Sequence, residues 1–140
     1  MRHIDTIIVH CSATPENRNV LTEIIRDWHI LDRGWSDIGY HYVIELDGTI
    51  EEGRPIERVG AHAKGHNRGS VGICYVGGVD SQMNAKDTRT PQQKESLEMI
   101  IKDLICEHPI KTIIGHCDVS NKACPSFDAK AEYSNMLKKC

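Results

Sequence analysis

TPQQKESLEMIIKDLICEHPIKTIIGH, residues Thr90 to His116, is the stretch that decides the fold. Thr90 is placed to cap a helix, Pro91 suits the first helical position, and Gln93 can return a hydrogen bond to the cap. Leu97, Ile100, Ile101, Leu104 and Ile105 recur at helical spacing and predict one apolar stripe. Pro109 closes the helix. The run Lys111 to Gly115 then predicts a short strand that delivers His116 at its carboxyl end.

Working outward, Ile4 to His10 is β-branched and apolar and predicts a buried first strand ending at His10. Glu23 to Leu31 carries Ile24, Ile25, Trp28 and Leu31 at helical spacing, with Thr22 as N-cap and Gly34 as stop. Asp47-Gly48 joins Tyr40–Leu46 to Thr49–Glu52 as a hairpin. In its first strand Tyr40, Tyr42, Ile44 and Leu46 are expected on one face and His41, Val43 and Glu45 on the other. Ser70 to Val76 predicts another buried strand, and Asp128 to Lys138 a last helix. The order β-α-β-β-β-α-β-α implies an α/β fold, a single domain over residues 1–140 with a mixed central β-sheet and helices on both faces. Ligands of such sheets collect beyond the carboxyl ends of strands. His10 and His116 both stand at such ends, which brings them to one rim.

Composition narrows the function classes. The 140 residues fit one domain. The 20 acidic and 17 basic residues form no long run of either sign. That argues against nucleic acid as a partner, which would call for a basic face. No stretch reaches the roughly 20 apolar residues of a membrane span, so no membrane partner is expected. No secretory signal is visible, so synthesis in the cytoplasm is expected, with any action on a cell wall following release by a separate route. The six cysteines include no CxxC pair. Most are expected to be reduced thiols serving as small apolar residues, Cys74 and Cys106 above all.

Cys124 stands apart. In Gly115-His116-Cys117-Asp118-Val119-Ser120-Asn121-Lys122-Ala123-Cys124-Pro125, seven residues separate a histidine from a cysteine, and a loop of that length can turn back on itself. A catalytic zinc takes three imidazole or thiolate ligands and leaves one position for water. A third ligand from the first strand would complete the set, although periodicity leaves His10 and Cys11 as alternatives.

The ordered segments Val9-His10-Cys11-Ser12-Ala13-Thr14, Gly39-Tyr40-His41-Tyr42, Gly60-Ala61-His62-Ala63-Lys64-Gly65, Gly69-Ser70-Val71-Gly72-Ile73 and His116 to Pro125 cover nearly the whole chain. In them it resembles the zinc-dependent N-acetylmuramoyl-L-alanine amidases, a family that includes short phage lysozymes of amidase type and the peptidoglycan recognition proteins, and it is most similar to the phage enzymes. The resemblance implies one Zn2+ on His10, His116 and Cys124, with Tyr40 and Lys122 as catalytic groups. It implies hydrolysis of the amide between the lactyl group of N-acetylmuramic acid and L-alanine, with peptidoglycan as the partner. Without it, Tyr40 reads as a half-buried strand tyrosine and Lys122 as a solvated loop lysine. His62 and Lys64, with Arg68 nearby in a Gly-rich loop, are expected to line the groove and meet an acidic stem peptide.

Some positions depart from the family pattern. Cys117 follows His116 where relatives often carry a basic residue, and Ser126 follows Pro125 where many have glycine. Asp118 is expected either to hold a ligand histidine or to cap a turn. Some phage amidases bind a host polymerase through an N-terminal extension. Here the first strand begins almost at Met1, and no such binding is expected. Among rivals, a non-catalytic peptidoglycan-binding module would lack the zinc cysteine. A nucleobase deaminase would need H-x-E and P-C-x-x-C, both missing. A structural zinc site would need a fourth protein ligand.

Overall fold

A computed structural model describes residues 2–138. The ends of the expected 1–140 domain, Cys140 among them, lie outside the described residues. Strands β1 (Thr6–Cys11), β3 (Tyr42–Ile44), β4 (Ile50–Glu52), β5 (Ser70–Tyr75) and β7 (Thr112–Gly115) form one sheet in the order β4-β3-β5-β1-β7. β1 pairs in parallel with β5 and β7, β5 with β3, and β4 joins antiparallel through the hairpin. The mixed sheet expected from the sequence is therefore present. Two shorter strands, β2 (Thr14–Pro15) and β6 (Gly78–Val79), form a separate parallel pair beyond the end of β1.

The helices are α1 (Thr22–Asp27), α2 (Pro91–Glu107) and α3 (Ala129–Tyr133). The connection β1-α1-β3 crosses the sheet one way and β5-α2-β7 the other. Right-handed crossovers in opposite directions place their helices on opposite faces. The packing agrees. On one face Ile7, Val9, Val71, Ile73 and Ile113 meet Leu97, Ile101 and Leu104 of α2 and Ala129 and Tyr133 of α3. On the other, Val43 and Cys74 meet Ile25 of α1 with Val20, Ile38 and Val76. β1 alternates between the faces, and all but its first residue are buried, as expected of an inner parallel strand.

Helix α2 forms as its sequence signals dictate. Thr90 Oγ1 accepts from the Gln93 N–H at 3.1 Å, and the Thr90 N–H donates to Gln93 Oε1 at 3.0 Å. Gln93 is fully buried, and its amide donates to the carbonyls of Ile44 and Val76. The same side chain that starts the helix thus seals the exits of β3 and β5. In the hairpin Gly48 takes φ +90°, a conformation that favours glycine.

Elsewhere the structure corrects the sequence reading. Thr22 is the first helical residue rather than the cap. Its N–H and hydroxyl both donate to Glu45 Oε2, so the residue just after β3 supplies the acceptor. Beyond Asp27 the chain widens into a π-helical turn, Trp28–Asp32. The expected apolar stripe is only partly covered: Ile25 is buried, whereas Ile24 within α1 is 41% exposed and Leu31 in the π-helical turn is 75% exposed. The hairpin strand begins at Tyr42, and Tyr40 packs with Leu46 against the cluster opposite the one that holds Tyr42 and Ile44. The last helix ends at Tyr133 and continues as a 3-10 turn, Ser134–Lys138. Cys106 is disulfide-bonded rather than a reduced thiol.

Candidate metal centre

Register builds the site. Val9 of β1 stands opposite Gly115 of β7, so the next residue on each strand, His10 and His116, emerges at the same rim. Their rings lie 4.6 Å apart. After His116 the chain makes a 3-10 turn through Asp118, whose Oδ2 accepts from the Gly115 N–H at 2.9 Å. Of the two roles expected for Asp118, this is the turn cap. The Cys117 N–H then donates to the Cys124 carbonyl, closing the loop on itself. Behind it, the Tyr75 hydroxyl donates to the Pro125 carbonyl and the Ser126 hydroxyl to the Gly78 carbonyl. Ser126 takes φ +70°, a left-handed conformation that favours glycine.

The closed loop brings Cys124 Sγ to 3.8 Å from His10 Nδ1. Ligand atoms of His10, His116 and Cys124 all lie within 4.8 Å of one another. A tetrahedral zinc with ordinary bond lengths separates its nitrogen and sulfur ligands by about 3.6 Å, so this donor set fits the ion. Strand alternation also decides between the two β1 candidates. Cys11 belongs to the opposite core, and it meets Cys124 through its backbone N–H, 3.2 Å from Sγ. Cys117 is not part of the group.

Protonation suits metal binding as well. Burial first, then His62, His116 and Lys122, hold His10 well below the usual imidazole range. His116 is lowered by burial and by Lys122. Both rings are therefore neutral near pH 7, as ligands must be. The Cys124 thiol is pushed up by the neighbouring Cys11 side chain and by burial, against the backbone N–H of Cys11, which pulls it down. A bound cation reverses that balance by favouring the thiolate.

The cleft above this group is lined by Tyr40, His62 and Lys122, together with His29, Arg33 and Trp35. Tyr40 lies with its ring 5.1 Å from that of His10. Its phenol is raised well above its ordinary value, by burial and then by the Cys74, Cys124 and Cys11 sulfurs. Lys122 is exposed at the cleft mouth. A groove continues from the cleft past Ala63, Lys64, Asn67 and Ser120, so Lys64 lines it as expected. Arg68 does not; it lies with Arg2, His3 and Val59 in a different depression. Arg33 and Trp35, stacked at 5.2 Å, were missed by sequence reasoning. Their signal was an aromatic and a cation flanking Gly34 at the end of the expected helix.

Residues 1–127 match the family described as N-acetylmuramoyl-L-alanine amidase. The endolysin of Enterobacteria phage K11 is 48% identical over 120 residues, 86% of this chain and 79% of that protein. In structure, the N-acetylmuramoyl-L-alanine amidase LysC from Clostridium intestinale matches with a TM-score of 0.80 and 32% identity, covering 99% of this chain and 85% of that one. A mutant of Drosophila PGRP-LB in complex with tracheal cytotoxin matches with a TM-score of 0.78 and 28% identity, over 96% and 82% of the two chains.

Proposed function

The chain belongs to the N-acetylmuramoyl-L-alanine amidase family, and on that premise we propose that His10, His116 and Cys124 hold one zinc ion with which Tyr40 and Lys122 carry out hydrolysis. The chain is a peptidoglycan amidase. It breaks the amide bond between the lactyl group of N-acetylmuramic acid and the L-alanine of the stem peptide. The observation that carries the zinc reading is the convergence of two neutral imidazoles and one sulfur within 4.8 Å.

When bound there, zinc would polarise the scissile carbonyl and bring the pKa of a water into the neutral range. The residues of the chain do the rest. Attack on the amide carbon puts negative charge on its oxygen, and the Lys122 ammonium stabilises that charge from the cleft mouth. Tyr40, kept as a phenol by its burial, serves as a hydrogen-bond donor in the cleft rather than as a base. His62 and Lys64 contribute walls of the groove where the stem peptide lies. Lys64 offers a cation to its carboxylates. We infer that the protein reaches the cell wall after release from the cell that makes it; among the described residues no helix is long and apolar enough to cross a membrane.

The bond is tested by mass spectrometry of purified peptidoglycan after digestion. Free stem peptides beside an intact glycan chain are expected. Cleaved sugars, or peptides cut internally, would contradict the assignment. Cys124→Ser separates catalysis from binding. It should abolish hydrolysis while leaving part of the affinity for cell-wall fragments, because the groove walls remain.

A further inference from the structure

We propose that His62 is a positioning residue: by accepting a hydrogen bond it fixes His10 as the tautomer protonated at Nε2 and leaves Nδ1 bare toward Cys124. The proposal rests on the reading of His10 as a zinc ligand and adds what selects the ligating nitrogen.

The direction of every proton in the chain of contacts follows from one carbonyl. The Ser70 hydroxyl lies 2.7 Å from the His66 carbonyl oxygen and 3.3 Å from that of Asn67. Two oxygens at 2.7 Å repel unless a proton lies between them, and a carbonyl has none to give. Ser70 therefore donates to the loop backbone. Its remaining contact is His62 Nε2, at 3.3 Å, and there its oxygen accepts, so His62 carries its proton on Nε2. A neutral imidazole has only one, which leaves His62 Nδ1 as an acceptor. His62 Nδ1 lies 2.9 Å from His10 Nε2. That contact needs a single proton, and His10 must supply it. His10 Nδ1 is then a lone pair, 3.8 Å from Cys124 Sγ.

The surroundings of His62 hold the ring in this role. Asn67 Oδ1 accepts from the backbone N–H groups of both His62 and Ala63 at 2.9 Å. The ring lies flat against the β5 backbone at Gly72, where a Cβ would come within 2.6 Å of it. A Cβ on Gly60 would come within 2.7 Å of the same ring. This packing holds the plane of the His62 ring, and turning the ring over would put carbon in place of nitrogen at both the Ser70 and the His10 contacts. Ligand histidines commonly depend on such an outer hydrogen bond, and its loss costs on the order of 10- to 100-fold in metal affinity.

Two measurements test this. In protein with nitrogen-15-labelled histidine, long-range proton–nitrogen correlation spectra of the metal-free chain should show His10 and His62 both protonated at Nε2. Adding zinc should then shift His10 Nδ1 and leave its Nε2 proton in place. Separately, His62→Leu should weaken zinc binding about 10- to 100-fold in competition with a chelator. His62→Asn, whose side-chain oxygen can stand in for Nδ1, should recover most of that loss. A parent protein with the His10 proton on Nδ1 overturns the proposal, as does a folded His62→Leu that holds zinc as tightly as the parent. If His62→Leu does not fold, the parent spectra decide alone. If the parent takes up no zinc at His10, the ligand assignment fails, and the tautomer read in the metal-free chain still tests the hydrogen-bond chain by itself.

Discussion

On one face of β1 the side chains of Ile7 and Val9 lie beneath α2 with Leu97, Ile101 and Leu104. On the other, the very next residue, His10, faces His62, Tyr40 and His116. Strand β5 divides the same way. Val71, Ile73 and Tyr75 belong to the α2 face, and Ser70, Gly72 and Cys74 alternate with them. The large residues fill space with hydrocarbon. The small ones leave it for imidazole rings and their hydrogen bonds. One period-two pattern thus builds the larger core on one side and, beside the smaller core under α1, a site on the other, and the two faces should respond to different perturbations.

The largest effect is expected on the packed face. Leu97→Ala removes a fully buried side chain and should cost about 4 kcal/mol in chemical denaturation. The folded fraction should keep its zinc and its turnover. A comparable loss of activity per folded molecule would mean that the faces are not independent.

Acid acts on the polar face. His41 is 1% exposed, and its Nδ1 accepts from the Gly72 N–H. Burial chiefly, then the Arg2 and Arg54 cations, lower it to about 4. Because the folded value lies below the unfolded one, the unfolded chain binds the extra proton. Stability is therefore complete above about pH 6.5 and falls as the pH drops toward about 4. This residue alone should remove on the order of 3 kcal/mol. Denaturation of metal-free protein across that range should show the loss together with those of the other lowered histidines, His10 and His62 among them. His41→Gln should make it shallower by about the His41 share.

Lys122→Ala should lower turnover on the order of a hundredfold, with zinc content and thermal stability near the parent values. Loss of zinc instead would show that Lys122 shapes the loop, and unchanged turnover would return it to the solvent. The smallest effect belongs to the helix start: Thr90→Ala should cost about 1 kcal/mol, read as a lowered midpoint in denaturant with no change in hydrolysis.

The same contrast explains what could be read from the chain. Helix α2 was legible because Thr90, Gln93 and the apolar stripe act within a few residues of one another. Strand ends carrying His10 and His116 were legible for a similar reason, and family motifs supplied Cys124, Tyr40 and Lys122. Thr22 was misread because its acceptor is Glu45, 23 residues away. The exposure of Ile24 and Leu31 is not encoded in apolar spacing, which marks a stripe without showing whether another element covers it. The place of His62 depends on an empty Cβ position at Gly72, and the alternation Ser-Val-Gly-Ile-Cys-Tyr carried that signal without being read as one.

Zinc dependence of the face built around His10 is tested most directly by metal analysis of one preparation, before and after chelation, alongside its hydrolysis of peptidoglycan. We expect about one zinc per chain, no hydrolysis once it is removed, and recovery on adding zinc back. Cys124→Ser should purify nearly free of metal. Full hydrolysis by the zinc-free chain, or undiminished zinc in Cys124→Ser, would contradict the assignment of His10, His116 and Cys124.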